Sequence, residues 1–94
     1  MDIVSFNQYK DPIITKLAMI ARFTRQEYVG IVSAKKTDVE VEAWYDTFYA
    51  ANNINLESEM TVQGMNFLVS KNLLTQDRAN QILTAPVETN ERPS

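Results

Sequence analysis

The side chains that most often carry out chemistry in proteins are sparse in this chain. It contains no histidine and no cysteine among 94 residues. This composition excludes imidazole bases, thiol nucleophiles, disulfides and Cys/His zinc sites. The remaining candidates for acid–base chemistry are carboxylates, which fall at predicted helix starts or on helix faces, where capping and solvation explain them. We therefore predict that the protein is not an enzyme and that it has no catalytic residue, cofactor or metal.

One stretch of the chain could be mistaken for a calcium loop. Oxygen-bearing side chains occupy every second position from Asn53 to Glu59. An EF-hand loop that began at Asn53 would need glycine at its sixth position and glutamate at its twelfth. This chain has Ser58 and Gly64 at those positions, so we predict a turn there and not a metal site.

The charge of the chain argues against a nucleic-acid partner. Twelve acidic and nine basic residues give a net charge of −3, and phosphate binding relies on lysine and arginine. A helix-turn-helix could be drawn around Thr37. Its recognition helix would begin with Asp38, Glu40 and Glu42, three acids at the end meant to approach phosphates.

A membrane location is also disfavoured. The longest apolar stretch, residues 13–21, is interrupted by Lys16 and is far shorter than the roughly 20 residues needed to cross a bilayer. No basic region precedes it, so a signal peptide is not expected. The sequence thus predicts synthesis in the cytoplasm and no membrane partner.

Apolar periodicity and helix caps predict an all-α fold, a small bundle of four main helices plus a short one with flexible termini. The first helix is expected to begin at Asp11-Pro12, and capping boxes at Thr24 and Thr37 start the next two. The predicted helices span about 12–22, 24–36, 37–52 and 58–71, with the short one at 76–84. They form a helical domain over 11–85, between an N-terminal arm at 1–10 and a flexible tail at 86–94.

Smaller features refine this prediction. The third helix is apolar on two sides, which is typical of the central helix of a bundle. Ile54 and Leu56 alternate with polar neighbours and predict a short extended connection held against the core. Asn72 is expected to end a helix in the left-handed conformation. Gly30 weakens the second helix, and indicates either a close helix approach or simple tolerance.

Aromatic residues are the best candidates for contacts with a partner. Trp44, Tyr45, Phe48 and Tyr49 lie within six positions, and such a cluster can be core or interface. Tyr49, at the edge of the inward face, is expected to be partly exposed. Phe6 and Tyr9 on the N-terminal arm need a binding surface in this domain or in a neighbouring subunit. The predicted interaction residues are Phe6, Tyr9, Tyr45 and Tyr49.

A series of short motifs over residues 22–84 resembles small uncharacterised helical proteins of tailed bacteriophages and prophages. Many members have glycine where this chain has Asn72, and both residues tolerate a left-handed helix end. The motifs are Phe23-Thr24-x-x-Glu27, Trp44-x-x-x-Phe48-x-x-Ala51, Ile54-Asn55-Leu56, Thr61-Val62-x-Gly64, Leu68-Val69 and Leu73-Leu74-Thr75-x-x-Arg78-Ala79-x-x-Ile82-Leu83.

This resemblance implies a phage structural or tail-module context, with no catalytic residues to carry over. We therefore expect a non-enzymatic virion protein associated with the tail, a fibre or the capsid surface. It would act through protein–protein contacts with other virion subunits or with copies of itself. Two alternatives stay open, namely a soluble acidic inhibitor or adaptor that binds a host protein, and a small transcriptional regulator.

Overall fold

The computed structural model describes residues 12–93, and the predicted arm at 1–10 lies outside them. Within this range the chain is mainly helical and carries a small two-stranded antiparallel sheet, so a mainly-α class is confirmed but a simple four-helix bundle is not. The elements are β1 (Ile13–Thr15), α1 (Lys16–Arg22), α2 (Arg25–Ala34), α3 (Val39–Ala50), β2 (Asn53–Asn55), α4 (Glu59–Ser70), α5 (Gln76–Thr84) and a 3-10 turn (Thr89–Glu91).

The start of the first predicted helix is wrong, because residues 13–15 form β1. Ile14 pairs with Ile54 of β2, and both side chains are buried. Consecutive β-branched residues favour extended backbone, and pairing places Ile14 in the core, which outweighs the start signal at Pro12. The helix begins instead after Thr15, whose hydroxyl accepts a hydrogen bond from the Ala18 amide at 3.0 Å.

The predicted extended connection is confirmed. Ile54 and Leu56 are both buried, and the Leu56 amide donates to the Pro12 carbonyl at 3.0 Å. At the other end of the pair, the Lys16 amide donates to the Asn52 carbonyl at 3.2 Å. The sheet is short, but it ties the two ends of the helical segment 16–52 together.

Of the two capping boxes predicted from the sequence, the structure has the one at the start of α2 but not the one at the start of α3. The box at Thr24 is present, because Thr24 Oγ1 accepts from the Glu27 amide and Glu27 Oε1 accepts from the Thr24 amide. The box predicted at Thr37 is wrong. Asp38 caps α3 by accepting from the Glu40 amide at 2.9 Å, while the Thr37 amide donates to the Ala34 carbonyl in the turn that ends α2.

The later elements agree closely with prediction. The short helix α5 has the predicted bounds. Asn72, two positions after the last residue of α4, adopts the predicted left-handed conformation with a φ of 63°. Apart from its chain neighbours and the backbone of its own helix, no atom of the described residues lies within 4 Å of the position that a β-carbon on Gly30 would take, so Gly30 is tolerated and marks no close approach.

The core is assembled from every helix and both strands. Its fully buried members with the largest side chains are Ile14, Ile31, Val41, Met65, Leu68 and Ile82. The expectation that α3 is the central helix is wrong. Val41 is its one residue in the buried core of the described chain, whereas Val39 is 74% exposed. The helix lies at the side of the core because, within residues 12–93, no helix covers Val39 on its second apolar side.

The predicted flexible tail needs correction for residues 86–93, which lie against α1. The Arg22 guanidinium binds both carboxylate oxygens of Glu91 at 2.8 Å, and it also donates to the carbonyls of Ile82, Ala85 and Pro86. One arginine thus joins α1, the end of α5 and the C-terminal segment. Of the helices described here, none is long and apolar enough to cross a bilayer.

Acid is expected to destabilise the fold through Glu27 and Glu91. Hydrogen bonds from Arg78 lower the pKa of Glu27, and those from Arg22 lower the pKa of Glu91. A carboxylate with a lowered pKa in the folded state stabilises the protein above its ordinary pKa and loses that contribution as pH falls through the folded value. Urea melts from neutral pH to below the ordinary value of 4.5 should therefore show falling stability.

Replacing Glu27 tests whether its ion pair with Arg78 causes part of the loss of stability in acid. Glu27→Gln should already be less stable at neutral pH and should lose less stability on acidification, because one linked proton is gone. Glu42→Gln removes the same charge from an exposed site on α3. An equal change in both variants would attribute the effect to net charge and contradict the role of the ion pair between Glu27 and Arg78.

Candidate protein-contact site

Two helices, α3 and α4, frame the candidate site and run antiparallel. At one end, the Lys71 ammonium beyond the last residue of α4 lies 3.0 Å from Asp38 and 2.6 Å from Glu40 at the start of α3. At the other end, Ala51, which follows α3, and Ser58, which precedes α4, both line one open cavity beside the two helices. The connection through β2 and the ion pair at Lys71 therefore fix the two helices side by side.

Trp44 and Gly64 set the spacing at the middle of these helices. A β-carbon on Gly64 would lie 2.8 Å from Nε1 of Trp44, which is closer than such atoms approach. Glycine therefore lets the indole lie directly against the backbone of α4. The indole also stacks on Phe48, with ring centroids 5.3 Å apart and planes 8° from parallel.

Above this contact lies an open cavity of about 600 Å³, which we call the α3–α4 groove. Its apolar lining includes Met19, Trp44, Phe48, Met60 and Met65, and its polar lining residues are neutral. None of the described residues that line it is charged. Methionine and aromatic side chains adapt to apolar partners, so the groove is suited to bind an uncharged apolar segment.

A second aromatic feature, the tyrosine row, is formed by Tyr28, Tyr45 and Tyr49. The Tyr28 and Tyr45 hydroxyls are hydrogen bonded at 2.8 Å, and the Tyr45 and Tyr49 rings stack with centroids 5.6 Å apart. Burial, and then the bond to Tyr45, raise the pKa of Tyr28, so its hydroxyl stays protonated. The hydrogen bond between Tyr28 and Tyr45 joins α2 to α3.

Two lysines cover the tyrosine row. Lys16 Nζ lies 4.0 Å from the centroid of the Tyr49 ring and donates to the Tyr49 carbonyl at 2.6 Å. Lys35 Nζ lies 4.4 Å from the centroid of the Tyr45 ring. Both contacts are cation–π interactions. Tyr49, at the end of the row, is nevertheless the most exposed of its three residues.

The structure separates the predicted interaction residues. Tyr49 is 51% exposed, as expected, whereas Tyr45 is half-buried inside the tyrosine row. Phe6 and Tyr9 lie outside the described residues. The sequence left core and interface open for Trp44 and Phe48, and the structure shows that both side chains pack on the core and also line the groove.

Sequence reasoning missed the groove. Met60 occupies an apolar position of α4, yet it is 74% exposed and lines the groove. The usable signal was Gly64 in the interior of a predicted helix, since glycine costs about 1 kcal/mol there and so indicates a close contact. That signal does not say which side chain makes the contact.

Residues 53–59, the segment compared above with a calcium loop, form hydrogen bonds within the turn before α4 and at its start. Asn55 Oδ1 accepts a hydrogen bond from the Glu57 amide at 2.9 Å, and Ser58 Oγ accepts one from the Thr61 amide as the cap of α4. In residues 12–93, no group of three or more acidic side chains is placed to hold a metal ion.

Comparison of the chain with protein-family models, curated proteins and solved structures finds no significant match. The resemblance to small helical phage proteins therefore stays an expectation. The function must be argued from the surface that the chain itself presents.

Proposed function

We propose that this protein is a non-enzymatic contact module whose α3–α4 groove binds an apolar segment of a neighbouring protein subunit. In the setting that the resemblance implies, that neighbour is another subunit of a phage virion. The observation that carries the proposal is the groove itself, an open cavity at α3 and α4 that the half-buried side chains of Trp44 and Phe48 line.

The physical argument rests on the character of this surface. Met60 is exposed, and the half-buried rings of Trp44 and Phe48 line the same concave site. Methionine and aromatic side chains grouped in this way are typical of sites that bind apolar segments. Trp44 is braced by Phe48 and by the backbone at Gly64, so its ring is held in place before a partner arrives. A braced ring loses little conformational freedom on binding, which favours affinity.

The chemistry of the groove also describes its partner. Because no charged residue of the described chain lines it, a charged side chain would lose hydration there without gaining an ion pair. The partner segment should therefore present aliphatic or aromatic side chains. An inhibitor or adaptor that binds a host protein could use the same surface, and the two functions differ in where the protein is found.

Blocking the groove tests the proposal. Thr47 is exposed on α3 and lines the groove, so Thr47→Arg should fill it and add a charge with little effect on the core. We expect the wild-type protein in purified particles by mass spectrometry. Thr47→Arg should be incorporated at least tenfold less.

Ser33→Arg is the matched control, because it adds the same side chain at an exposed helical position away from the groove. It should be incorporated like the wild type, and urea melts should show that both variants are folded. Equal incorporation of both variants would contradict the groove as the contact site. Absence of the wild-type protein from particles would contradict the virion function.

A further inference from the structure

We propose that the partner segment binds in the α3–α4 groove as an extended strand, which adds to the outer edge of β2 through backbone hydrogen bonds. The outer edge is the one that faces away from β1. This inference rests on the proposed function, because it states the conformation in which the apolar segment is held. It is supported by the backbone groups that β2 leaves unpaired, by the composition of this edge and by a further unpaired donor in the groove.

The direction of the backbone groups of β2 follows from its pairing with β1. The hydrogen bonds described above at the two ends of the sheet lie two positions on either side of the pair between Ile14 and Ile54. Because hydrogen-bonded and non-hydrogen-bonded pairs alternate along an antiparallel ladder, Ile14 and Ile54 form the hydrogen-bonded pair between them. Asn53 and Asn55, on either side of Ile54, therefore point their N–H and C=O groups away from β1.

Three of these four backbone groups are unpaired in the part of the chain that the structure describes. The Asn55 carbonyl accepts from the Ser58 amide at 3.1 Å, in the turn before α4. The Asn53 N–H, the Asn53 carbonyl and the Asn55 N–H make no hydrogen bond within residues 12–93. Both asparagines are exposed and line the groove, so the outer edge of β2 forms part of its wall.

These unpaired groups indicate the conformation of the occupant. An extended chain laid beside β2 presents free N–H and C=O groups at the spacing that β2 requires, so it can pair with all three. A helical segment cannot, because its backbone groups are already bonded to one another.

The composition of β2 leaves this edge open. Exposed strand edges are often blocked by a charged side chain, a proline or a bulge, because they pair readily with other chains. The strand reads Asn-Ile-Asn, without charge or proline, and its register with β1 is regular. An added strand therefore meets none of these obstacles along β2.

Strand pairing also determines which partner side chains enter the groove. Residues opposite each other on neighbouring strands point their side chains to the same face. Ile54 is buried and lines the groove, whereas Asn53 and Asn55 are exposed. A partner side chain on the face of Ile54 therefore points into the apolar groove, and one on the face of the asparagines points to solvent. The partner segment should alternate apolar and polar residues.

Trp44 adds a further polar requirement. Its indole N–H lines the groove, makes no hydrogen bond within the described residues and is not enclosed by them. Covering this donor without an acceptor would cost free energy, since a buried indole N–H needs a partner. The occupant should therefore carry carbonyl groups as well as apolar side chains, as a peptide backbone does.

A short peptide with two patterns of N-methylation tests the inference on the isolated protein. The probe is acetyl-Thr-Val-Thr-Val-Thr-Val-amide. Methylation of the threonine nitrogens blocks one edge of the extended peptide, and methylation of the valine nitrogens blocks the other, while the side chains stay the same. By amide NMR titration, the unmodified peptide should bind. One methylated form should bind at least about tenfold more weakly, and the other should bind as the unmodified peptide does.

Which methylated form fails depends on whether the added strand runs antiparallel or parallel to β2. Equal binding of the two methylated forms, or equal loss in both, would overturn the inference. No binding of the unmodified peptide at millimolar concentration would overturn it as well.

The protein side of the same hydrogen bonds is tested by Asn55→Pro and Asn55→Ala. Both variants lose the side-chain acceptor for the Glu57 amide, but only proline also removes the backbone N–H on the outer edge. Ile54 is extended, as a residue before proline prefers, so the pairing with β1 can be kept. Asn55→Pro should bind the unmodified peptide at least about tenfold more weakly than Asn55→Ala, with urea melts showing that both are folded. Equal binding by the two folded variants would contradict strand addition.

These measurements separate the inference from the proposed function. Normal incorporation of Thr47→Arg into particles, together with the expected peptide results, would contradict the virion contact and support strand addition at the groove. Reduced incorporation of Thr47→Arg, together with equal binding of the two methylated peptides, would support the contact site and overturn the extended mode of binding.

Discussion

Replacing Arg22 with alanine is expected to lower the free energy of unfolding by about 3 kcal/mol. The Arg22 side chain is 7% exposed, and Glu91, its ion-pair partner, is 16% exposed. Alanine would leave the Glu91 carboxylate without its cation in a partly buried site. It would also remove the donors to the Ile82 and Ala85 carbonyls at the end of α5, where the helix leaves such groups unpaired.

Chemical melts followed by circular dichroism would measure this loss, and hydrogen exchange would locate it. The Glu91 and Arg92 amides donate within the C-terminal turn, and they should exchange much faster in Arg22→Ala. Arg22→Lys keeps the positive charge but loses the planar guanidinium that binds both Glu91 oxygens. It should therefore be more stable than Arg22→Ala and less stable than the wild type. A loss below 1 kcal/mol with unchanged exchange would show that residues 86–93 are not held by Arg22.

The second large effect is expected at Gly64. Gly64→Ala places a β-carbon 2.8 Å from Nε1 of Trp44, so the indole must move away from α4 and lose its stacking on Phe48. Such overpacking costs about 1 to 3 kcal/mol, which outweighs the gain of up to about 1 kcal/mol in helix propensity. We expect a net loss of stability and a changed Trp44 emission spectrum.

A thermodynamic cycle makes this prediction specific. In a Trp44→Ala background the obstruction is gone, so Gly64→Ala should stabilise the protein by up to about 1 kcal/mol through helix propensity alone. Gly30→Ala is the matched control, since its new β-carbon would meet no side chain of the described residues within 4 Å, and it should also stabilise. If Gly64→Ala stabilised the wild-type protein as Gly30→Ala does, the close contact with Trp44 would be refuted.

The sequence by itself determined the features that depend on neighbouring residues. The bounds of α5, the cap at Thr24 and the left-handed conformation of Asn72 follow from local hydrogen bonding and backbone sterics, and the structure has all three. The same holds for the extended connection at Ile54 and Leu56, whose alternation was sufficient evidence. Such features are readable because the residues that cause them are a few positions apart.

The tertiary structure decided what depends on distant partners. Residues 13–15 became a strand because Ile14 pairs with Ile54, forty positions away, and the C-terminal segment is placed by Arg22, which is 69 positions from Glu91. The groove exists because Gly64 admits the Trp44 ring between two antiparallel helices. Periodicity identifies which side of a helix is apolar, but only packing decides whether that side is buried or, as at Val39 of α3, left exposed.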